Sequence, residues 1–311
     1  MSVEIDTPVL VILGPTAVGK TETALALAHS LQGEIVSADS RLLYIGMDIG
    51  TAKPSREEQA RIPHHLIDVT TPDQPWTMVR YIRAAGEAIE RIHARGRLPM
   101  IVGGTGQYVQ ALLEGWDPPP KGSELIRSTY RQKAQEQGAQ ALHDLLAARD
   151  PDSANKIDHR NVRRVIRALE IMDLTGEPAS SQKKKTPPPY RTMKIGLIRP
   201  REELYARIDA RIDRMLSEGL VAEVQALLDA GYSPDLPAMS AIGYRQIIAA
   251  LQGDMCLEEA VARIRKLTRQ FVRRQANWWK PDDPGINWFR ATPDVTADIL
   301  AAVQVWQDDP A

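Results

Sequence analysis

The sequence predicts an α/β fold, a P-loop NTPase-like parallel sheet with flanking helices, interrupted by an all-helical insertion. Three observations carry this. Short apolar runs alternate with helical patterns through the first hundred residues, as crossover connections between parallel strands require. The string GPTAVGKT, Gly14 to Thr21, fits G-x-x-x-x-G-K-[ST] and stands between an apolar run and an Ala- and Leu-rich helical segment, where a phosphate-binding loop belongs. Finally, two proline-rich breaks, at 116–122 and 183–189, bracket a stretch with no strand pattern.

Taken in order, strands are expected at Val9–Leu13, Glu34–Ala38, His65–Val69 and Leu98–Val102. Helices fill the gaps at Thr21–Leu31 and Met78–Arg95, the second from its Ile82, Ala85, Ile89 and Ile92 stripe. GGTGQY, Gly103 to Tyr108, is a second Gly-rich turn from strand to helix. Both turns fall at the carboxyl edge of the sheet, where ligands of open α/β sheets bind, so both are expected to face one cleft. Ser123 to Ser180 reads as helical throughout, and Met193–Ile198 as a returning core strand. Helices then follow at Arg201–Ser217, Val221–Ala230, Ile242–Leu251 and Leu257–Trp279, with a short strand at Gly285–Phe289 and a last helix from Asp294. The expected core joins 1–120 to 190–311, and 121–189 is the insertion.

Composition narrows the class. A chain of 311 residues with 43% hydrophobic and 25% charged residues has the means to bury a full core. Its net charge of −1 gives no global polyanion signature, so a nucleic-acid partner has to be met by local basic patches. Cys256 is the only cysteine, which leaves no disulfide within the chain and no Cys-based zinc site, and suits a reducing cytoplasm. Met1–Asp6 is acidic and does not read as a signal peptide, and no apolar run has the length of a membrane span. The six histidines lack ligand spacing, and no structural metal is expected.

The chemistry follows from the loop. Gly14 and Gly19 let the backbone curl so that N–H groups of Thr16, Ala17 and Val18 can turn toward an anion, helped by the helix N-terminus behind them. Lys20 adds a mobile positive charge, and Thr21 offers a hydroxyl to Mg2+. ATP-hydrolysing relatives of such loops use a strand that ends in an acid, whereas Leu98–Val102 runs into Gly103-Gly104-Thr105. One carboxylate does stand on the ligand edge: Asp39, in SADSRLLY, Ser37 to Tyr44. From spacing alone it is equally a turn or N-cap residue.

These blocks, together with EIVSADSRLLYIGMDIGTAKP (Glu34 to Pro54), PHHLIDV (Pro63 to Val69), NVRRVIRALEI (Asn161 to Ile171), AIGYRQ (Ala241 to Gln246) and TRQFVRRQANWW (Thr268 to Trp279), resemble the bacterial tRNA dimethylallyltransferases over almost the whole chain. Leu42 stands where that family often has glutamine, and Asn277-Trp278-Trp279 departs from its usual Thr-Trp. The resemblance implies transfer of a dimethylallyl group from dimethylallyl diphosphate to N6 of the adenosine 3′-adjacent to the anticodon, in tRNAs reading codons that begin with U. It implies a cytoplasmic, monomeric enzyme using Mg2+. Asp39 would take the amine proton, and Thr105 would bond the leaving oxygen or place the amine, a role compatible with capping the next helix. Gly14, Thr16, Ala17, Val18, Gly19, Lys20 and Thr21 would hold the diphosphate, with Arg207 and Arg211, one helical turn apart, as clamps.

A large anionic substrate fits the uneven charge. Arg263, Arg265, Lys266, Arg269, Arg273, Arg274 and Lys280 share a segment without an acid, and Arg160, Arg163, Arg164 and Arg167 crowd another. Such helices are also common as plain solvated faces. Trp278 and Trp279 would supply flat faces for bases. The expected tRNA contacts are Asp39, Ser40, Arg41, Leu42, Thr105, Arg127, Arg163, Arg164, Arg167, Gly243, Tyr244, Arg245, Arg273, Arg274, Gln275, Trp278 and Lys280. Rival readings are a prenyltransferase acting on free adenine nucleotides, a P-loop kinase, and a non-catalytic RNA-binding protein.

Overall fold

The computed structural model describes residues 7–117, 120–182 and 185–308. Met1–Asp6 and the break residues Pro118, Pro119, Lys183 and Lys184 lie outside them. The chain divides into two compact units, one running up to Leu113 and again from Pro189 onward, the other Glu114–Pro188. No helix among the described residues is long and apolar enough to cross a membrane.

The larger unit is built on six parallel strands in the order β3-β2-β4-β1-β5-β6. They are β1 (Thr7–Leu13), β2 (Gly33–Ser37), β3 (His64–His65), β4 (Leu98–Val102), β5 (Tyr190–Ile198) and β6 (Asn287–Arg290). Central β1 is apolar from Val9 to Leu13 because both of its faces are covered. Leu10 and Ile12 enter a core shared with α1 (Lys20–Leu31), α8 (Arg201–Ser217), α9 (Leu220–Asp229), α10 (Tyr244–Leu251), α11 (Leu257–Gln275) and α12 (Val295–Asp308). Val9, Val11 and Leu13 enter the opposite core, with α3 (Met78–Ala94) and α4 (Gly106–Leu113). The two-residue period of a strand divides the run between the two layers.

The third strand differs from expectation. The apolar pattern predicts His65–Val69, but β3 is only His64–His65, followed by a left-handed backbone at Leu66 (φ 62°) and Asp68 (φ 54°). The N–H groups of Asp68 and Val69 then bond the carbonyls of Leu42 and Leu43, at 3.1 and 2.9 Å. The segment thus leaves the sheet to brace the loop after β2. A short helix that the pattern does not suggest, α2 (Arg56–Arg61), precedes it behind a Ser55–Glu58 capping box. The α11 helix stops at Gln275 rather than Trp279, and Trp279 turns into the core, 8% exposed.

The smaller unit contains α5 (Glu124–Arg149), α6 (Pro151–Ala154) and α7 (Val162–Thr175). Gly138, at φ 88° and ψ 160°, breaks α5. Leu142 and Leu146 of α5 pack on Val165 and Leu169 of α7, all fully buried. The unit begins at Glu114 rather than 121 because its two ends pair with each other. Trp116 and Lys185 form an antiparallel bridge, and Thr186 N–H bonds Gly115 O at 2.8 Å.

Glu170 is, with Asp150, a buried charge of this unit among the described residues, and has no exposed side-chain surface. It accepts Ser123 N–H at 2.7 Å and Arg127 Nε at 2.9 Å, and pairs with Arg167. Burial alone would raise its pKa, but the bonds from Arg167, Ser123 and Arg127 together hold it below the usual range. Replacing it strands two guanidinium groups. Glu170→Ala is expected to destabilise the smaller unit by about 3 kcal/mol, read as a lowered urea midpoint of the full chain, with Glu170→Gln in between.

Candidate active site

The phosphate-binding loop sits between β1 and α1 and curls through Gly14 (φ 146°), Ala17 (φ 63°) and Gly19 (φ 118°). A Cβ on Gly14 would stand 2.8 Å from Leu197 O, so no larger residue fits there. Two of the N–H groups expected to face an anion have partners within the protein, Thr16 N–H on Gln275 Oε1 at 2.9 Å and Val18 N–H on Pro15 O at 3.4 Å, and two arginines hold the loop's carbonyls. Arg207 Nε donates to Ala17 O and Arg199 Nε to Val18 O, both at 2.9 Å. Lys20 Nζ donates to Gly14 O and Pro15 O at 2.9 and 2.8 Å. Thr21 stands exposed at the head of α1, and the side chain of Val18 is buried in the core.

Asp39 follows β2 and faces this loop. Its Oδ1 accepts Arg41 N–H at 2.9 Å, so the turn reading holds for one oxygen. Thr105 meets the same segment from β4. Its Oγ1 accepts Ser40 N–H at 3.1 Å and its own N–H donates to Ala38 O at 3.1 Å. A hydroxyl that accepts one bond still has its proton to donate. The two loops touch because position 103 has no side chain; a Cβ there would lie 2.2 Å from Ala38 O.

Two cavities open on this carboxyl edge. One, about 770 Å³, is lined by Gly19, Lys20, Thr21, Leu42, Lys53 and Arg207 among others. The other, about 500 Å³, is lined by Ser40, Arg41, Gly104, Thr105, Gly106, Phe271, Arg274 and Trp278 among others. Thr16, Ala17, Asp39, Thr51, Arg211 and Met215 line both. Asp39 and Arg211 therefore stand at a junction. Loss of water holds the Lys20 ammonium down at about 8, with Asp39 raising it and Arg211 lowering it further. Burial likewise lowers Arg211, opposed by Asp39 and reinforced by Arg214 and Arg207.

Several residues expected at the RNA have other partners. Gln275 is 5% exposed; its Oε1 accepts Thr16 N–H at 2.9 Å and its Nε2 donates to Gly104 O at 3.0 Å. It ties the two Gly-rich loops together, with both amide ends engaged, while lining the second cavity. Tyr244 is fully buried with its hydroxyl on Glu223, behind Gly243, which is also buried. Trp279 is in the core and offers no stacking face. Arg41 Nη1 holds Pro237 O at 3.0 Å and Ala238 O at 3.2 Å. Arg207, expected as a diphosphate clamp, bonds Ala17 O of the phosphate loop and Glu22 while lining the first cavity. On α11, Arg263 pairs with Glu259, Arg265 with Asp213 and Asp209, and Arg269 with Asp209. Half of that basic helix is neutralised by neighbouring acids.

The remainder are placed as a surface requires. Arg245, Arg273, Arg274 and Lys280 are exposed, and Trp278 is half-buried with its ring against Gly106. Within the smaller unit, Arg163 and Arg164 are exposed on α7, while Arg127 and Arg167 belong to Glu170 and Arg160 to Asp158. Sequence reasoning missed Arg199, Thr51, Met215 and Glu223. Arg199 had a signal, since it directly follows β5 on the ligand edge. Thr51 had one too, lying within the MDIGTAKP stretch, whereas Met215 and Glu223 lie on ordinary helices and had none.

The IPP transferase family model matches residues 42–282. The chain is 49% identical over 302 residues to a tRNA dimethylallyltransferase of Roseiflexus sp. (strain RS-1), covering 97% of this chain and 99% of that one. It is 49% identical over 286 residues to the enzyme of that name from Thermomicrobium roseum, covering 92% and 87%. Among solved structures it resembles a tRNA isopentenylpyrophosphate transferase from Bacillus halodurans, with a TM-score of 0.72, 39% identity and 96% of each chain covered. A eukaryotic dimethylallyltransferase acting on tRNA superposes with a TM-score of 0.83 at 28% identity, covering 98% of this chain and 81% of that one. Matched by the family model over 42–282 and by relatives about half identical over most of its length, this protein belongs to the IPP transferase family.

Proposed function

We propose that this chain transfers the dimethylallyl group of dimethylallyl diphosphate to N6 of an adenosine in tRNA. The adenosine is the one 3′-adjacent to the anticodon, in tRNAs that read codons beginning with U. The observation that carries the reading is that Asp39 and Arg211 line both cavities, one holding the phosphate loop and the other Trp278, Arg274 and Thr105. A diphosphate suits the first, and an extruded base suits the second.

An adenine amine is a weak nucleophile because its lone pair is delocalised into the ring. As N6 bonds C1 of the dimethylallyl group, the C1–O bond breaks and its electron pair leaves with the diphosphate. Asp39 takes the N6 proton as this happens, which localises the lone pair where it is needed. Arg211 and Lys20 receive the charge that develops on the leaving group. Thr105, with a proton still to donate, places the amine from the other loop. Arg207 acts from behind, on Ala17 O.

A hard divalent cation such as Mg2+ suits the donors at the head of α1, a Thr21 hydroxyl with Asp39 in the same cavity and oxygen atoms only. When bound, the ion neutralises diphosphate charge. Exposed Arg163, Arg164, Arg245, Arg273, Arg274 and Lys280 are the cations we assign to the RNA backbone. We further propose that the enzyme acts as a monomer in the cytoplasm, where its tRNA substrate is found.

The reading is tested by supplying labelled dimethylallyl diphosphate with Mg2+ to unmodified tRNA and, in parallel, to AMP. Label in tRNA and not in AMP is expected; label in AMP alone, or consumption of ATP instead, overturns it. A pH profile tests the electrostatics. Lys20 is cationic below its pKa of about 8 and loses its charge above it. The kcat/KM for dimethylallyl diphosphate, which reports the free enzyme, is expected to fall as pH rises through that value. A profile that stays flat to pH 10 would contradict it.

A further inference from the structure

Glu223, on α9, lines neither cavity, yet the wall between them is hung on it. Its carboxylate accepts the N–H groups of Asp48, Ile49 and Gly50 at 2.9, 2.7 and 3.1 Å. The Tyr244 hydroxyl, from α10, reaches the same carboxylate at 2.5 Å. Three successive N–H groups converging on one anion form a nest, here occupied by the protein's own side chain. Gly50 lies so close to Tyr244 that a Cβ would stand 2.5 Å from the ring. The MDIGTAKP and AIGYRQ blocks, distant in sequence, thus meet on a carboxylate that belongs to neither.

The residue after Gly50 reaches the chemistry. Thr51 lines both cavities, and its carbonyl faces Arg211 Nη2 at 3.5 Å. Lys53 fixes the far end of the loop, bonding Tyr44 O at 2.9 Å and Asp68 at 2.5 Å, and pairing with Asp48. We propose that Glu223 is a positioning residue for prenyl transfer: it sets the 48–51 loop, and through Thr51 the orientation of Arg211 toward the diphosphate. This role rests on the proposed function of the cleft. It explains why a polar side chain on an ordinary helix takes four hydrogen bonds, and why Tyr244 is buried instead of facing RNA.

The test uses Glu223→Gln, Glu223→Asp and Tyr244→Phe in the full chain, with steady-state constants for both substrates and thermal unfolding of the same samples. Glutamine keeps the shape but presents an NH2 group to backbone donors, so the loop has to shift. Glu223→Gln is expected to raise the KM for dimethylallyl diphosphate and lower kcat, with kcat/KM falling about tenfold to a hundredfold. The KM for tRNA should stay within about twofold. Glu223→Asp restores part of the loss, and Tyr244→Phe, which leaves three N–H donors in place, has the smallest effect. Wild-type constants in Glu223→Gln overturn the proposal. So does a lower kcat with both KM values unchanged and a lowered melting temperature, which reports lost folded enzyme. A wild-type chain that transfers no prenyl group overturns the reading of the site itself, and this role with it.

Discussion

Two cations deprived of water, Lys20 and Arg211, face one carboxylate, Asp39, and the rest of the cleft is arranged around that imbalance. Burial makes both cations costly, and Asp39, joined at Arg211 by Glu22, offsets only part of the cost. Lys20 and Arg211 therefore stand beside the phosphate loop with their charges only partly offset. A diphosphate relieves this better than any side chain present. The same carboxylate that moderates the cations is in place to accept a proton when the leaving group departs.

Such a charge arrangement demands a rigid frame. Arg199 and Arg207 hold the outward carbonyls of the phosphate loop, and Gln275 bridges that loop to the Gly104 turn. Glu223 holds the third wall by its backbone. Each of these polar groups works through hydrogen bonds to main chain, which fix position without adding another contact to the reacting atoms. The parallel sheet supplies the underlying alignment, since β1, β2 and β4 end together at the edge where these loops start.

Much of this was legible in the sequence because periodicity and spacing carry it. β4 and α8 lie where their patterns place them, and the loop, Asp39 and Thr105 face one edge, as strand order along the chain requires. β3 was not legible, because Leu66 and Asp68 adopt a left-handed backbone that no residue-type rule assigns to them. Nor were the pairings of α11 with α8: Asp209 and Arg269 are 60 positions apart, and a charge run looks alike whether its partner is water or a neighbouring helix. Gln275 and Tyr244 show the same limit. A family motif marks a residue as needed, but only packing tells whether it touches substrate or supports a residue that does.

The proposed mechanism turns on proton acceptance by Asp39 at the junction of the two cavities. It is tested most directly by a single-turnover experiment on Asp39→Asn, preloaded with tRNA and dimethylallyl diphosphate. With both substrates saturating, transfer is expected to slow about a hundredfold or more. Transfer at the wild-type rate from that complex would contradict it.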